Sequence, residues 1–131
     1  MDLLSDEISS RNFDFYKRIA RRRQTIIFLE GDSHKLLTLQ KVKKFLKDRK
    51  VDLLFIDGDH SYQGVKKDFK MSSPLVKLGA LICLHDIIPG EYNKVGGVPE
   101  FWKEIRENYE TREIVEDRHQ GGYGIGIVFM R

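Results

Sequence analysis

The sequence predicts a three-layer α/β fold on a mostly parallel sheet, closed by a C-terminal antiparallel hairpin. Three observations predict it. Short apolar and β-branched runs near 25–30, 51–57 and 79–85 each stop at a polar turn, which is the pattern of buried strands. Amphipathic stretches of crossover length separate them, and strand, helix and strand at that spacing make a parallel, right-handed unit. Two further strand-like runs, 112–116 and 125–129, flank the short loop His119-Gln120-Gly121-Gly122-Tyr123, as a hairpin requires.

Each element has its own signature. Residues 11–22 read as a helix with Phe15 and Ile19 on one face. Thr25-Ile26-Ile27-Phe28-Leu29 reads as a buried strand ended by Glu30-Gly31-Asp32-Ser33. Residues 35–49 carry Leu39, Val42, Phe45 and Leu46 on one helical stripe. Val51-Asp52-Leu53-Leu54-Phe55-Ile56 is the second strand, halted by Asp57-Gly58-Asp59-His60. The helix expected over 62–77 runs through Val65, Phe69 and Val76. Gly79-Ala80-Leu81-Ile82-Cys83-Leu84 is the third strand, halted by His85-Asp86. After a loop bounded by Pro89-Gly90 and Gly96-Gly97, residues 98–109 place Val98, Phe101, Trp102, Ile105 and Tyr109 on the inner face of a helix. Helices on both faces of the sheet follow from this alternation.

Bulk properties narrow the function classes. The 131 residues suit one domain, 1–131, with no repeat or linker. No apolar run approaches the roughly 18 residues of a membrane span, and the N-terminus carries acids where a secretory leader carries bases. The lone Cys83 lies in an apolar run, so a reducing, cytoplasmic setting is expected. Arg11, Lys17, Arg18, Arg21, Arg22 and Arg23 concentrate the positive charge. The helix dipole favours such a basic last turn, and without an aromatic stacking platform beside it no nucleic-acid partner is expected.

Ligands of open α/β sheets bind beyond the carboxyl ends of the strands. The second and third strands both end there in polar clusters. Adjacent parallel strands lie about 4.8 Å apart, so Asp57, Asp59 and His60 should face His85 and Asp86 across one crevice. Asp57 and Asp86 are hard oxygen donors of the kind magnesium or manganese takes, and His85 adds an imidazole. Asp57-Gly58-Asp59 alone could be an ordinary turn; its placement opposite His85-Asp86 favours a site. His34 reads as a surface residue, His119 as a loop residue, Trp102 as core and Cys83 as a small buried hydrophobe.

Phe55-Ile56-Asp57-Gly58-Asp59-His60-Ser61-Tyr62, with Val65-Lys66-Lys67-Asp68, resembles the fourth-strand segment of one group of class I S-adenosylmethionine-dependent methyltransferases. The group includes metal-dependent O-methyltransferases of macrolide and aminocoumarin tailoring, and proteins similar to the cephalosporin C7-methoxylation protein. Gly79 to Asp86 resembles their fifth strand, Gly97-Val98-Pro99 with Phe101-Trp102 the next helix, and Gly122-Tyr123-Gly124-Ile125-Gly126 the closing hairpin. The resemblance runs from about Phe28 to Phe129 and implies a truncated Rossmann-like fold, the C-terminal half of a methyltransferase.

By position, the resemblance makes Asp57, His85 and Asp86 ligands of Mg2+ or another divalent cation, with His85 standing where many relatives carry an acid. It makes His60 or Asp59 the catalytic base, and it brings Asp32 and Ser33 to the adenine of S-adenosylmethionine. The implied activity is metal-assisted O-methylation of a small metabolite or sugar. The alternative is a catalytically incomplete remnant serving as a binding or assembly module. No Gly-x-Gly turn is found before Thr25, and the first 24 residues contain no glycine. Weak cofactor binding is therefore expected. An apolar strand edge left without its neighbours points to a homo-oligomer or a complementing chain, beside the small-molecule acceptor.

Overall fold

Four strands, β1 (Val51–Ile56), β2 (Val76–His85), β3 (Thr111–Ile114) and β4 (Ile125–Phe129), form one sheet in the order β1-β2-β4-β3. The coordinates are a computed structural model that describes residues 14–131. The chain divides into two compact units, Met1–Glu30 and Gly31–Arg131, and the sheet belongs wholly to the second. β1 pairs with β2 in parallel, Ile56 opposite Leu84. β4 runs antiparallel to both β2 and β3. The sheet is therefore mixed.

In the first unit, the described part of helix α1 covers residues 14–19; residues 11–13 of the expected helix lie outside the described residues. The strand expected over 25–30 does not form. A strand is stable only with a ladder partner to take its N–H and C=O groups, and the four-stranded sheet of the described residues does not include this segment. Phe28 instead sets its ring 6.0 Å from that of Tyr16.

In the second unit, α2 (Leu36–Leu46) precedes β1, and α3 (Tyr62–Ser72) makes the crossover from β1 to β2. α3 starts where Ser61 accepts a hydrogen bond from the Gly64 N–H, the usual N-cap arrangement. It ends earlier than the expected residue 77 because Pro74 has no N–H to continue it. A single 3-10 turn, Ser73–Leu75, follows, and Val76 opens β2 rather than closing the helix. The short α4 (Tyr92–Val95) leads into α5 (Val98–Asn108), which has Pro99 and Glu100 in its first turn.

The core lies between one face of the sheet and the helices α3 and α5. Ile82, Leu84 and Val128 from the strands are fully buried, and Val65, Phe69, Phe101, Trp102 and Ile105 close over them. Burying side chains of this size contributes about 1.5–3 kcal/mol each. Phe69 packs edge-on against Phe101 at 5.7 Å and Tyr109 at 5.6 Å. On the opposite face, Leu53, Phe55 and Ile114 are exposed. Gly126 fits only because it lacks a Cβ, which would meet the Trp102 ring at 2.5 Å. Cys83 is buried and free, as its apolar setting predicts. No helix of the described residues is long and apolar enough to cross a membrane.

Candidate active site at the carboxyl ends of β1 and β2

The parallel pairing of β1 with β2 decides where the site forms. Ile56 and Leu84 are register partners, so the next residues, Asp57 just past β1 and His85 at the end of β2, lie side by side at the carboxyl edge of the sheet with Asp86 beyond them. Asp86 is buried and adopts φ +61. That left-handed conformation is strained for a residue with a Cβ and is often found at functional sites.

His60 reaches the same place from the loop before α3. Its Nδ1 donates to the Lys94 carbonyl at 2.7 Å, since a carbonyl can only accept. Nε2 consequently faces the carboxylates, 3.4 Å from Asp57 Oδ1 and 3.5 Å from Asp86 Oδ2. Gly97 N–H donates to the His60 carbonyl at 2.8 Å. Gly96, at φ +55, lies so close that a Cβ there would meet that carbonyl oxygen at 2.1 Å. The Gly96-Gly97 pair thus grips the backbone of His60 from the far side.

His85 completes the group. Its Nδ1 lies 3.2 Å from Asp86 Oδ2 and 3.5 Å from Asp57 Oδ1. The nitrogen is buried and, despite these distances, has no aligned hydrogen-bond partner. Two imidazoles therefore aim a nitrogen at the same two carboxylates. Asp57, His60 and Asp86 each offer a ligand atom within 4.8 Å of the others. The His60 pKa is shifted upward: burial pulls it down, but the Lys94 hydrogen bond and the charges of Asp57 and Asp86 outweigh that. An orphaned buried nitrogen and a donor set of two hard oxygens with imidazole both fit a divalent cation.

The other residues singled out by the sequence lie apart. The Asp59 carboxylate accepts the Ser61 N–H at 2.8 Å and packs over Gly64, whose added Cβ would meet it. Its pKa is lowered, chiefly by that backbone hydrogen bond, which makes it a weaker proton acceptor. Asp32 turns back to accept the His34 N–H at 2.8 Å. Ser33 lines a small cleft with Phe55, Asp57, Gly58 and Asp68. His34 is half-buried rather than a surface residue: its Nε2 lies 3.1 Å from the Gly64 carbonyl and 3.2 Å from Asp68, which is buried. His119 is exposed in the hairpin loop beside Asp117. Sequence reasoning missed the Lys94 carbonyl, Asp68 and the presentation of Tyr123; only the glycines around Tyr123 hinted at an unusual backbone there.

A methyltransferase-domain family profile matches residues 4–87, a span that holds Asp57, His60, His85 and Asp86. No curated protein matches the sequence. Among solved structures, the chain is similar to a candidate caffeoyl-CoA O-methyltransferase from Staphylococcus aureus, with TM-score 0.64 and 18% identity over 93% of this chain and 58% of that one. It is similar to a candidate O-methyltransferase from Klebsiella pneumoniae, with TM-score 0.64 and 16% identity over 95% of this chain and 56% of that one. At such identities the likeness shows the fold, a Rossmann-like α/β sheet. The chain spans less than two thirds of the length of either protein.

Proposed function

The chain belongs to the methyltransferase-domain family, and from that premise we propose that it carries the acceptor side of an S-adenosylmethionine-dependent O-methyl-transfer site. The carrying observation is the convergence of His60 Nε2 and the unpartnered His85 Nδ1 on Asp57 and Asp86. Asp57, Asp86 and His60 would hold a divalent cation. A carbonyl clamp on the remote ring nitrogen is how metal-ligating histidines are commonly oriented, and Lys94 supplies it. When bound, such a cation lowers the pKa of a substrate hydroxyl.

The chain's own residues supply the rest. His85 lies beside the carboxylates with its ring partly exposed although Nδ1 is buried. The exposed part of the ring is placed to take the hydroxyl proton. Asp59, tied to the turn before α3, is a positioning residue in this reading. Ser33 and Asp32 stand at the turn before α2, where the donor's adenine would approach. The deprotonated oxygen would then attack the sulfonium methyl in line, forming the O–CH3 bond as the S–CH3 bond breaks and S-adenosylhomocysteine leaves, and most of the acceleration would come from positioning.

The test is transfer of labelled methyl from S-adenosylmethionine to hydroxylated acceptors in the presence of manganese. Transfer that is abolished by chelation and by Asp57→Ala supports the reading. Transfer insensitive to both, or none with any hydroxyl acceptor, contradicts it.

A further inference from the structure

Residues 35–50 carry six lysines and Arg49 against one acid, Asp48, while the whole chain nets only +3. The rest of the protein is therefore negative on balance, and positive charge gathers on and just beyond α2. A surface helix of a globular protein normally buries an apolar stripe, yet α2 buries none of its residues. Leu39, Val42 and Leu46 are half-buried along its inner side. Its outer side keeps Leu36 and Leu37 in water, each 64% exposed.

Helical spacing puts leucines and lysines on one surface. Leu37 heads a row with Lys41 and Lys44, and Leu36 heads the neighbouring row with Gln40 and Lys43. The three lysines are exposed, and among the described residues none of them has an ion-pair partner. The outer side of α2 is thus apolar and basic together. Lysine stems are themselves apolar, so their ammonium groups reach headgroup phosphates while neighbouring leucines enter the acyl boundary. A nucleic acid would use the charges but leave both leucines in water. Its recognition also favours the planar fork of arginine, of which this segment has only Arg49.

We infer that the outer side of α2 docks on an anionic lipid surface, with Leu36 and Leu37 inserted and Lys41, Lys43 and Lys44 on the headgroups. A helix of this kind lies in the plane of the interface and needs no spanning segment. Each lysine beside an anionic bilayer is worth about fivefold in affinity. That attraction fades within about 8 Å at physiological salt, so the docking is reversible and salt-sensitive. Neither the cation nor methyl transfer enters it.

Vesicle flotation of the full chain is the test, with phosphatidylcholine alone and with phosphatidylcholine mixed with phosphatidylserine. The chain should float with the mixed vesicles, stay behind with the neutral ones, and be released by added salt. A Lys41→Gln, Lys44→Gln double variant should bind the mixed vesicles about thirtyfold more weakly. A Leu36→Ser, Leu37→Ser double variant should lose about tenfold or more and keep the native salt dependence. All four side chains are exposed, so circular dichroism of both variants should match the native chain. No flotation with the mixed vesicles, or equal flotation of the native chain and the leucine variant, overturns the inference. Duplex DNA that binds the native chain and the leucine variant alike, and strips the chain from the vesicles, would make nucleic acid the partner and overturn it too.

Discussion

His60 is anchored by its Nδ1, which donates to the Lys94 carbonyl at 2.7 Å and so turns Nε2 toward Asp57 and Asp86. If Nε2 is a cation ligand, His60→Ala should weaken manganese binding by about tenfold or more. His60→Gln, which keeps a polar group without the ring, should recover little. Calorimetric titration of both variants checks this.

Gly96→Ala should disturb the same residue from behind. The new Cβ would meet the His60 carbonyl oxygen at 2.1 Å, and the position holds φ +55. The loop must shift, so manganese affinity should fall together with thermal stability. A Gly96→Ala chain with native affinity would show that the His60 loop is not held by this contact.

Gly126→Ala tests the core over β4. Its Cβ would lie 2.5 Å from the Trp102 ring, which is itself locked within the core. Overpacking of this kind costs about 1–3 kcal/mol. Denaturant unfolding should show that loss with an unchanged slope.

Glu113 gives the fold an acid-sensitive contact. Its carboxylate accepts the Trp102 indole N–H at 2.8 Å and pairs with Arg118 at 3.0 Å and Arg106 at 3.4 Å. Burial opposes ionisation, but these partners outweigh it and hold the pKa below the ordinary 4.5. A depressed carboxylate contributes stability that is fully present above its unfolded pKa and lost as pH falls through the folded one. Glu113→Gln should therefore cost about 1–2 kcal/mol near neutral pH, and the difference should shrink below pH 4.5. A constant difference across that range would place the effect elsewhere.

The sequence made β1 and β2 legible because both are continuous apolar runs that stop at charged turns, and the parallel pairing followed from the helix between them. Asp57, His60, His85 and Asp86 could be read for the same reason, since residues just past paired strand ends must meet. Thr25 to Leu29 has the same apolar signature, yet composition cannot say whether a ladder partner exists. The end of α3 is not legible because Val76 fits the helical stripe, while Pro74 decides the boundary. The His34–Asp68 contact and the Lys94 clamp depend on how distant loops fold back, and neither leaves a periodic trace. Tyr123 lies in a glycine-rich hairpin, where a left-handed tyrosine cannot be told from its neighbours by pattern.

The most direct measurement is a calorimetric titration of manganese into the native chain and into an Asp57→Ala, Asp86→Ala double variant. Circular dichroism should first show that both are folded. Only the folded state assembles the carboxylate pair, so binding should also raise the melting temperature of the native chain. One cation should bind per native chain and none in the double variant. Equal binding and equal thermal shifts in the two would place the cation elsewhere and contradict the site.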